Sequence, residues 1–311
     1  MAKTIREAYG KALVEYGALN DNLIVLDCDV SSSTKTAGFS LKYPERFFNL
    51  GIAESNMVGI AAGLASVGKI PFANTFAVFI TTLGLIAARN FGAYTNLNIK
   101  LIGAYGGLSP SYDGASHQSL EDIAIMRSLP RFQVFVASDE YQTKWFVKHA
   151  LENAGPMYIR LSREAMETQY SEKSDFQAGR GFVLTEGDDV TIIACGLMVQ
   201  NAMKAVQILK QKGITARVID MFCIKPIDAD LIISSAKKTG AVVTAEEHSV
   251  IGGLGSAVSE VLASNGTKFV QEFVGVKDRF TESGDYKTLQ SKYALDADAI
   301  AEACVRACKK K

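Results

Sequence analysis

A chain of two α/β domains, each a mostly parallel sheet covered by helices, is the fold class this sequence predicts. Three observations carry it. The 311 residues allow about two domains at roughly 100–200 residues each. Apolar runs of strand length alternate with longer segments of helical period, the pattern that parallel sheets produce. A polar stretch without sustained apolar period, Ser162–Arg180, separates two such series. It places a linker at 164–180 between domains 1–163 and 181–311.

Each element follows from its pattern. The first series predicts helices at Ile5–Leu19, Ser55–Val67, Phe76–Tyr94, Leu120–Leu129 and Glu140–Asn153. Its strands fall at Leu23–Asp27, Ile70–Asn74, Lys100–Ala104, Phe132–Val136 and Met157–Leu161. The second series predicts strands at Val190–Ala194, Thr215–Asp220, Ala241–Ala245 and Phe269–Val274. Helices at Val199–Lys212, Ala229–Lys238, Leu254–Ser264 and Ala297–Lys309 complete it.

Composition narrows the function classes. Lys+Arg and Asp+Glu are both 33, so the formal charge is zero and no sequence-wide basic field for nucleic acid or anionic lipid exists. Cys28, Cys195, Cys223, Cys304 and Cys308 form no CxxC pair and no even framework. With a charged Met1–Glu7 start that lacks an apolar signal region, they point to a reduced, cytoplasmic setting. Ile70–Ala88 carries no charge, yet Pro71, Asn74, Thr75, Thr81, Thr82 and Gly84 interrupt it. It reads as two buried elements, partly against another chain, and not as a membrane span.

Four segments concentrate chemistry. Glu54 lies at the mouth of an apolar helix, within Asn49–Met57. Position alone fits a first-turn Glu favoured by the helix dipole; burial among uncharged residues would instead suit the carboxyl to proton transfer. Phe76 and Phe79, at i and i+3, share a helix face and form either core or a slot for a flat heteroaromatic ring. Gly107–Gln118 is a turn-rich loop at the carboxyl end of a strand, where α/β proteins place their sites, and it holds Asp113 and His117. Arg160, Ser162 and Arg163 close the domain's last strand as solvated charge or as a phosphate clamp. The glycines around Gly252-Gly253-Leu254-Gly255 lack the full dinucleotide pattern and fit a tight strand-to-helix turn.

Together these residues resemble the thiamine-diphosphate enzymes of the transketolase family over nearly the whole chain. Gly51-Ile52-Ala53-Glu54-Ser55-Asn56-Met57 resembles the family's G-I-x-E-x-x-M segment, which implies that Glu54 contacts N1′ of the cofactor's aminopyrimidine. Phe76 and Phe79 match its aromatic pocket, with Thr82 where a third aromatic often stands. Tyr112–Gln118 is similar to the D-G-x-[TS]-H-Q signature, which implies that Asp113 reads a sugar hydroxyl and His117 serves the reacting carbons. Leu161-Ser162-Arg163 resembles the motif whose Arg binds sugar phosphate. Asp27–Ser33 resembles a loop that implies Asp29 near the thiazolium and Ser33 near the phosphate. Tyr105 stands where typical members carry a phosphate-side His.

The resemblance implies a pyrimidine-binding α/β domain followed by a smaller transketolase C-terminal-like domain. The chain has no G-D-G segment for the diphosphate. The implied protein is therefore the C-terminal subunit of a split transketolase that moves a two-carbon ketol unit. A separate N-terminal subunit would hold the diphosphate and Mg2+, with no metal bound here, in an α2β2 heterotetramer. The 2-oxo acid dehydrogenase β subunit and a split deoxyxylulose-phosphate synthase share the layout, and a non-catalytic scaffold subunit is the remaining alternative. The D-G-x-S-H-Q and L-S-R runs favour sugar phosphates.

Overall fold

The computed structural model describes residues 3–311. Met1 and Ala2, part of the stretch read against a signal peptide, lie outside them. Two sheets organise the chain. The larger has seven strands in the order Cys223–Lys225, Gln133–Val136, Met157–Arg160, Lys100–Ala104, Ile70–Phe76, Leu23–Asp27, Phe47–Asn49. All its pairings are parallel except that of Cys223–Lys225 with Gln133–Val136. The smaller runs Val270–Val276, Ala241–Ser249, Val190–Ala194, Ala216–Asp220, Phe182–Thr185, with the last strand antiparallel.

Burial on both faces explains the sequence pattern. Every residue of Leu23–Asp27, Lys100–Ala104, Met157–Arg160 and Val190–Ala194 is buried. Helices cover both sides of such strands, so they read as continuous apolar runs and not as alternation. Three predicted ranges, Leu23–Asp27, Lys100–Ala104 and Val190–Ala194, coincide with the observed strands. Among the described residues, no helix is long and apolar enough to cross a membrane.

Two expectations need correction. The Ile70 strand continues to Phe76, and the helix expected over Phe76–Tyr94 is broken into Ala77–Thr82, Leu85–Ala87 and a wider π turn, Ala88–Tyr94. Thr81 and Thr82 donate their hydroxyls to the Ala77 and Val78 carbonyls at 2.7 and 2.6 Å. Such back-bonding competes with the helical ladder and bends it. The strands Phe47–Asn49 and Cys223–Lys225 were not expected, because three residues are too few to show a period. The second of these crosses from the C-terminal half to the edge of the larger sheet and stitches the two halves together.

Arg160 is neither solvated nor a clamp for a ligand. It is buried at the end of its strand, where Nε donates to Asp122 Oδ2 at 2.7 Å. Its Nη2 donates to the Ser119 and Glu247 carbonyls at 3.1 and 2.9 Å. Tyr158 adds its hydroxyl to the same Asp122 oxygen at 2.6 Å. Removing one partner of such a pair strands the other as an uncompensated buried charge. Arg160→Met should therefore cost about 3–5 kcal/mol in urea unfolding, and adding Asp122→Leu should recover part of it. A loss below about 1 kcal/mol would show the pair to be dispensable.

Candidate functional site

Parallel strands point their carboxyl ends the same way, so one edge of the larger sheet collects the loops that follow them. Across that edge stand Asn49, Asp29, Phe76, Tyr105 and Arg163, each at or just beyond the end of a neighbouring strand. Glu54 opens the Glu54–Ser66 helix and is only 4% exposed. Thr75 Oγ1 donates to Glu54 Oε1 at 3.2 Å, which ties the carboxyl to the strand end beside Phe76. Glu54 Oε2 has no hydrogen-bond partner among the described residues, so a nearly buried carboxyl keeps one oxygen free to meet a ligand.

Asn49 joins two loops at this edge. Its Oδ1 accepts from the Asp29 and Gly51 backbone N–H groups at 3.0 and 3.1 Å, and its Nδ2 donates to Asp29 Oδ1 at 2.8 Å. Asp29 holds a left-handed backbone, φ 64°, and its side chain faces this asparagine. Behind it Asp27 is fully buried, accepting from the Val30 N–H, Thr34 Oγ1 and Thr36 Oγ1 at 2.7, 2.8 and 2.9 Å. Desolvation raises the Asp27 carboxyl above the usual range despite these bonds. Sequence reasoning passed over both Asp27 and Asn49, whose roles appear only when two strands lie side by side.

Phe76 and Phe79 meet as expected, but not on one helix face. Phe76 ends the strand and Phe79 lies in the next helix, with ring centroids 6.0 Å apart. His117 stands edge-on to both rings at 5.8 and 5.2 Å, and Tyr105 lies 4.5 Å from Phe76. The three rings Phe76, Phe79 and His117 therefore converge from segments 38 positions apart (117 − 79). His117 Nδ1 pairs with Ser116 Oγ at 3.0 Å, which leaves Nε2 without a hydrogen-bond partner among the described residues.

Beside the rings lies a cationic corner. Arg6 Nη1 donates to the Ser33 carbonyl at 2.6 Å and to the Tyr105 hydroxyl at 3.1 Å, while Nη2 reaches the Arg163 carbonyl at 3.4 Å. Both guanidinium groups lie over the Tyr105 ring, at 4.9 Å for Arg6 and 5.4 Å for Arg163. Arg163 also donates to the Pro110 carbonyl at 3.1 Å and stands 3.8 Å from Asp113. That ion pair is exposed on both sides and weak, so both groups remain open to a ligand. Arg6 went unnoticed in the sequence because its partners lie 27, 99 and 157 positions away.

The structure thus brings Glu54, Phe76, Phe79 and His117 to one end of the site and Ser33, Arg163 and Asp113 to the other. Tyr105 links them. Asp29 belongs to the Glu54 side through Asn49 and, among the described residues, has no hydrogen bond or ion pair with the arginines. Among the described residues, no group of three or more His, Cys, Asp or Glu side chains could hold a metal ion. The Gly252–Gly255 segment is a strand-to-helix turn: Glu246, buried beneath it, accepts from the Leu254 and Gly255 N–H groups at 2.7 and 2.8 Å. That carboxyl occupies the place an anion would need.

Comparison with known proteins supplies the family. Residues 1–169 match the transketolase pyrimidine binding domain and residues 179–300 the transketolase C-terminal domain. A solved split gene transketolase, an inactive beta4 tetramer, is 51% identical, covers 98% of each chain and superposes with a TM-score of 0.92. The 6-deoxy-6-sulfo-D-fructose transketolase subunit SqwH of a Clostridium species is 40% identical over 96% of this chain and 92% of its own. Human transketolase is 38% identical over 96% of this chain and 48% of its own length. With a pyrimidine-binding domain, a C-terminal domain and these relatives, the chain belongs to the transketolase family.

Proposed function

We propose that this chain is the C-terminal, pyrimidine-side subunit of a split thiamine-diphosphate transketolase that moves a two-carbon ketol unit from a ketose phosphate to an aldose phosphate. The observation that carries the reading is the convergence of Glu54, Phe76, Phe79 and His117 beside the Arg6–Arg163 corner on one sheet edge. The residues fit the cofactor's pyrimidine. Glu54 keeps a free oxygen at 4% exposure, and two half-buried phenyl rings stand next to it.

When bound, thiamine diphosphate supplies a nucleophilic carbon that accepts and releases the ketol fragment. The chain's own residues do the rest. Glu54 Oε2 would hold the pyrimidine nitrogen N1′ by a hydrogen bond, and Phe76 and Phe79 would shield the ring from water. Asp29 would serve the thiazolium side. His117 presents Nε2 to a substrate oxygen near the breaking bond, and Asp113 reads a sugar hydroxyl. Arg163, with Ser33 and the newly found Arg6, binds the far anionic end, where planar guanidinium forks suit a tetrahedral anion. The sulfonated sugar in the name of the Clostridium relative makes sulfonate a natural competitor for phosphate in this corner.

The diphosphate and Mg2+ would belong to an N-terminal partner in an α2β2 assembly. Support comes from the relative that is inactive as a beta4 tetramer and from human transketolase, of which this chain matches 48%. Ile52, Leu83, Ile86, Phe91 and Tyr94 are exposed and apolar, in and around the uncharged stretch that the sequence assigned to a partner.

Two outcomes follow. With the partner subunit present, Glu54→Ala should lower ketol transfer by roughly 100-fold or more, the range of a positioned acid–base group. Transfer within a few-fold of wild type would sink the assignment. Arg6→Ala and Arg163→Ala should each raise KM for a phosphorylated ketose roughly 10- to 100-fold with kcat little changed. Steady-state kinetics with a phosphate-free ketose provide the control, which should be insensitive. Supplying pyruvate plus glyceraldehyde phosphate instead of a ketose donor separates this reading from synthase chemistry.

A further inference from the structure

Asp113 and His117 stand on the loop Tyr105–Ser119, whose neck closes where the Gly107 N–H donates to the Ser119 carbonyl at 3.0 Å. The C-terminal half grips this loop at three places. At the neck, Gly107 holds φ 67°, and a Cβ there would collide with the Glu247 carboxyl, so the backbone lies directly on that group. The Leu108 N–H faces the same carboxyl. At the tip, Gly284 N–H donates to the Ser111 carbonyl at 3.4 Å, and Ser283 Oγ occupies the space beside Gly114. On the returning limb, Gln118 Nε2 donates to the Glu282 carbonyl at 3.1 Å while Thr281 donates to Gln118 Oε1.

Of these grips, Glu247 alone brings a buried carboxyl. It is 3% exposed, and Oε1 accepts the Tyr286 hydroxyl at 2.7 Å. Gln290 Nε2 donates to that hydroxyl at 2.8 Å, which orients its proton toward Glu247. The charges that face the carboxyl are Arg160 from the larger sheet and Glu164 from the segment after it. Arg160 also holds the Ser119 and Glu247 carbonyls together, so the neck and the base of Glu247 share one anchor.

We propose that Glu247 is a positioning residue for the substrate loop: seated against Gly107 and Leu108 and held by Tyr286, it fixes the neck from which Asp113 and His117 are presented. What the loop presents them to rests on the transketolase reading above. Burial pushes the Glu247 carboxyl up to about 7 from 4.5, against the lowering effects of Tyr286 and Arg160. A raised acid favours its protonated form in the closed loop, so closure is fully supported below the exposed value and is progressively lost as pH rises through about 7. If opening exposes Glu247 to water, the open fraction grows about tenfold between pH 6 and pH 8.

Hydrogen exchange on the full chain, corrected for intrinsic rates, tests this without turnover. Protection of amides 107–118 should fall about tenfold from pH 6 to pH 8 in wild type. Glu247→Gln, which mimics the protonated acid, should remove that fall, and Tyr286→Phe should steepen it by raising Glu247 further. In the reconstituted complex Glu247→Ala should raise the ketose KM roughly tenfold, with cofactor affinity unchanged and Glu247→Gln close to wild type. The same pH response in Glu247→Gln, or an equal loss across the Glu54–Ser66 helix, would overturn the proposal. Absence of ketol transfer in wild type would overturn the functional reading, and the exchange result would still decide the role of Glu247.

Discussion

Arg160 is the interaction on which the rest of the molecule leans. Its guanidinium is buried at the end of the Met157–Arg160 strand, and a Cβ on Gly106 would collide with it. One set of donors reaches Asp122 Oδ2 on the first half's helix, the Ser119 carbonyl at the end of the substrate loop and the Glu247 carbonyl on the second half's strand. Arg163, three residues later, turns out into the cationic corner. A planar fork of fixed donors does this better than a flexible ammonium, because the geometry of one partner sets the place of the others.

Carboxyl groups divide into two kinds by their surroundings. Asp27, Glu246 and Glu247 are buried, satisfied from several sides and pushed up by desolvation, and each secures a loop or a helix start. Asp220, at the seam between the halves, is buried too, with its bonds gathered on Oδ2 and none on Oδ1 among the described residues. It accepts from Ser138, Gln142 and Tyr170 at 2.6, 2.8 and 2.7 Å and is pushed up to about 6. Glu54 differs in having a single hydrogen-bond partner among the described residues, and Asp113 is exposed. Carboxyls with unmet capacity at the sheet edge are the ones available to a ligand; those buried and bonded from several side chains or N–H groups inside the fold are its fasteners.

Much of the fold was legible before any coordinates. Strands buried on both faces leave continuous apolar runs, so Leu23–Asp27 and Lys100–Ala104 declare themselves. The Asp113–His117 and Leu161–Arg163 runs are legible because each is local. Short strands, the broken helix after Phe76 and the crossing strand Cys223–Lys225 were not, since three residues or a threonine back-bond leave no periodic trace. Arg160 illustrates the limit: its charge suggested solvent or phosphate, and only the packing of Asp122, Ser119 and Glu247 around it shows a buried anchor.

The sequence by itself determined the α/β class, the alternation of elements and the identity of Glu54, Phe76, Phe79, Asp113, His117 and Arg163 as candidates. Those properties depend on neighbours a few positions apart, where period and motif act. Tertiary structure decided that Arg6 joins Ser33, Tyr105 and Arg163, that Asn49 locks Asp29 to the Glu54 turn, and that the C-terminal half holds the substrate loop. Each of these needs partners from 20 to more than 160 positions apart. Only a folded sheet, with its strand ends gathered on one edge, brings such residues within hydrogen-bond reach.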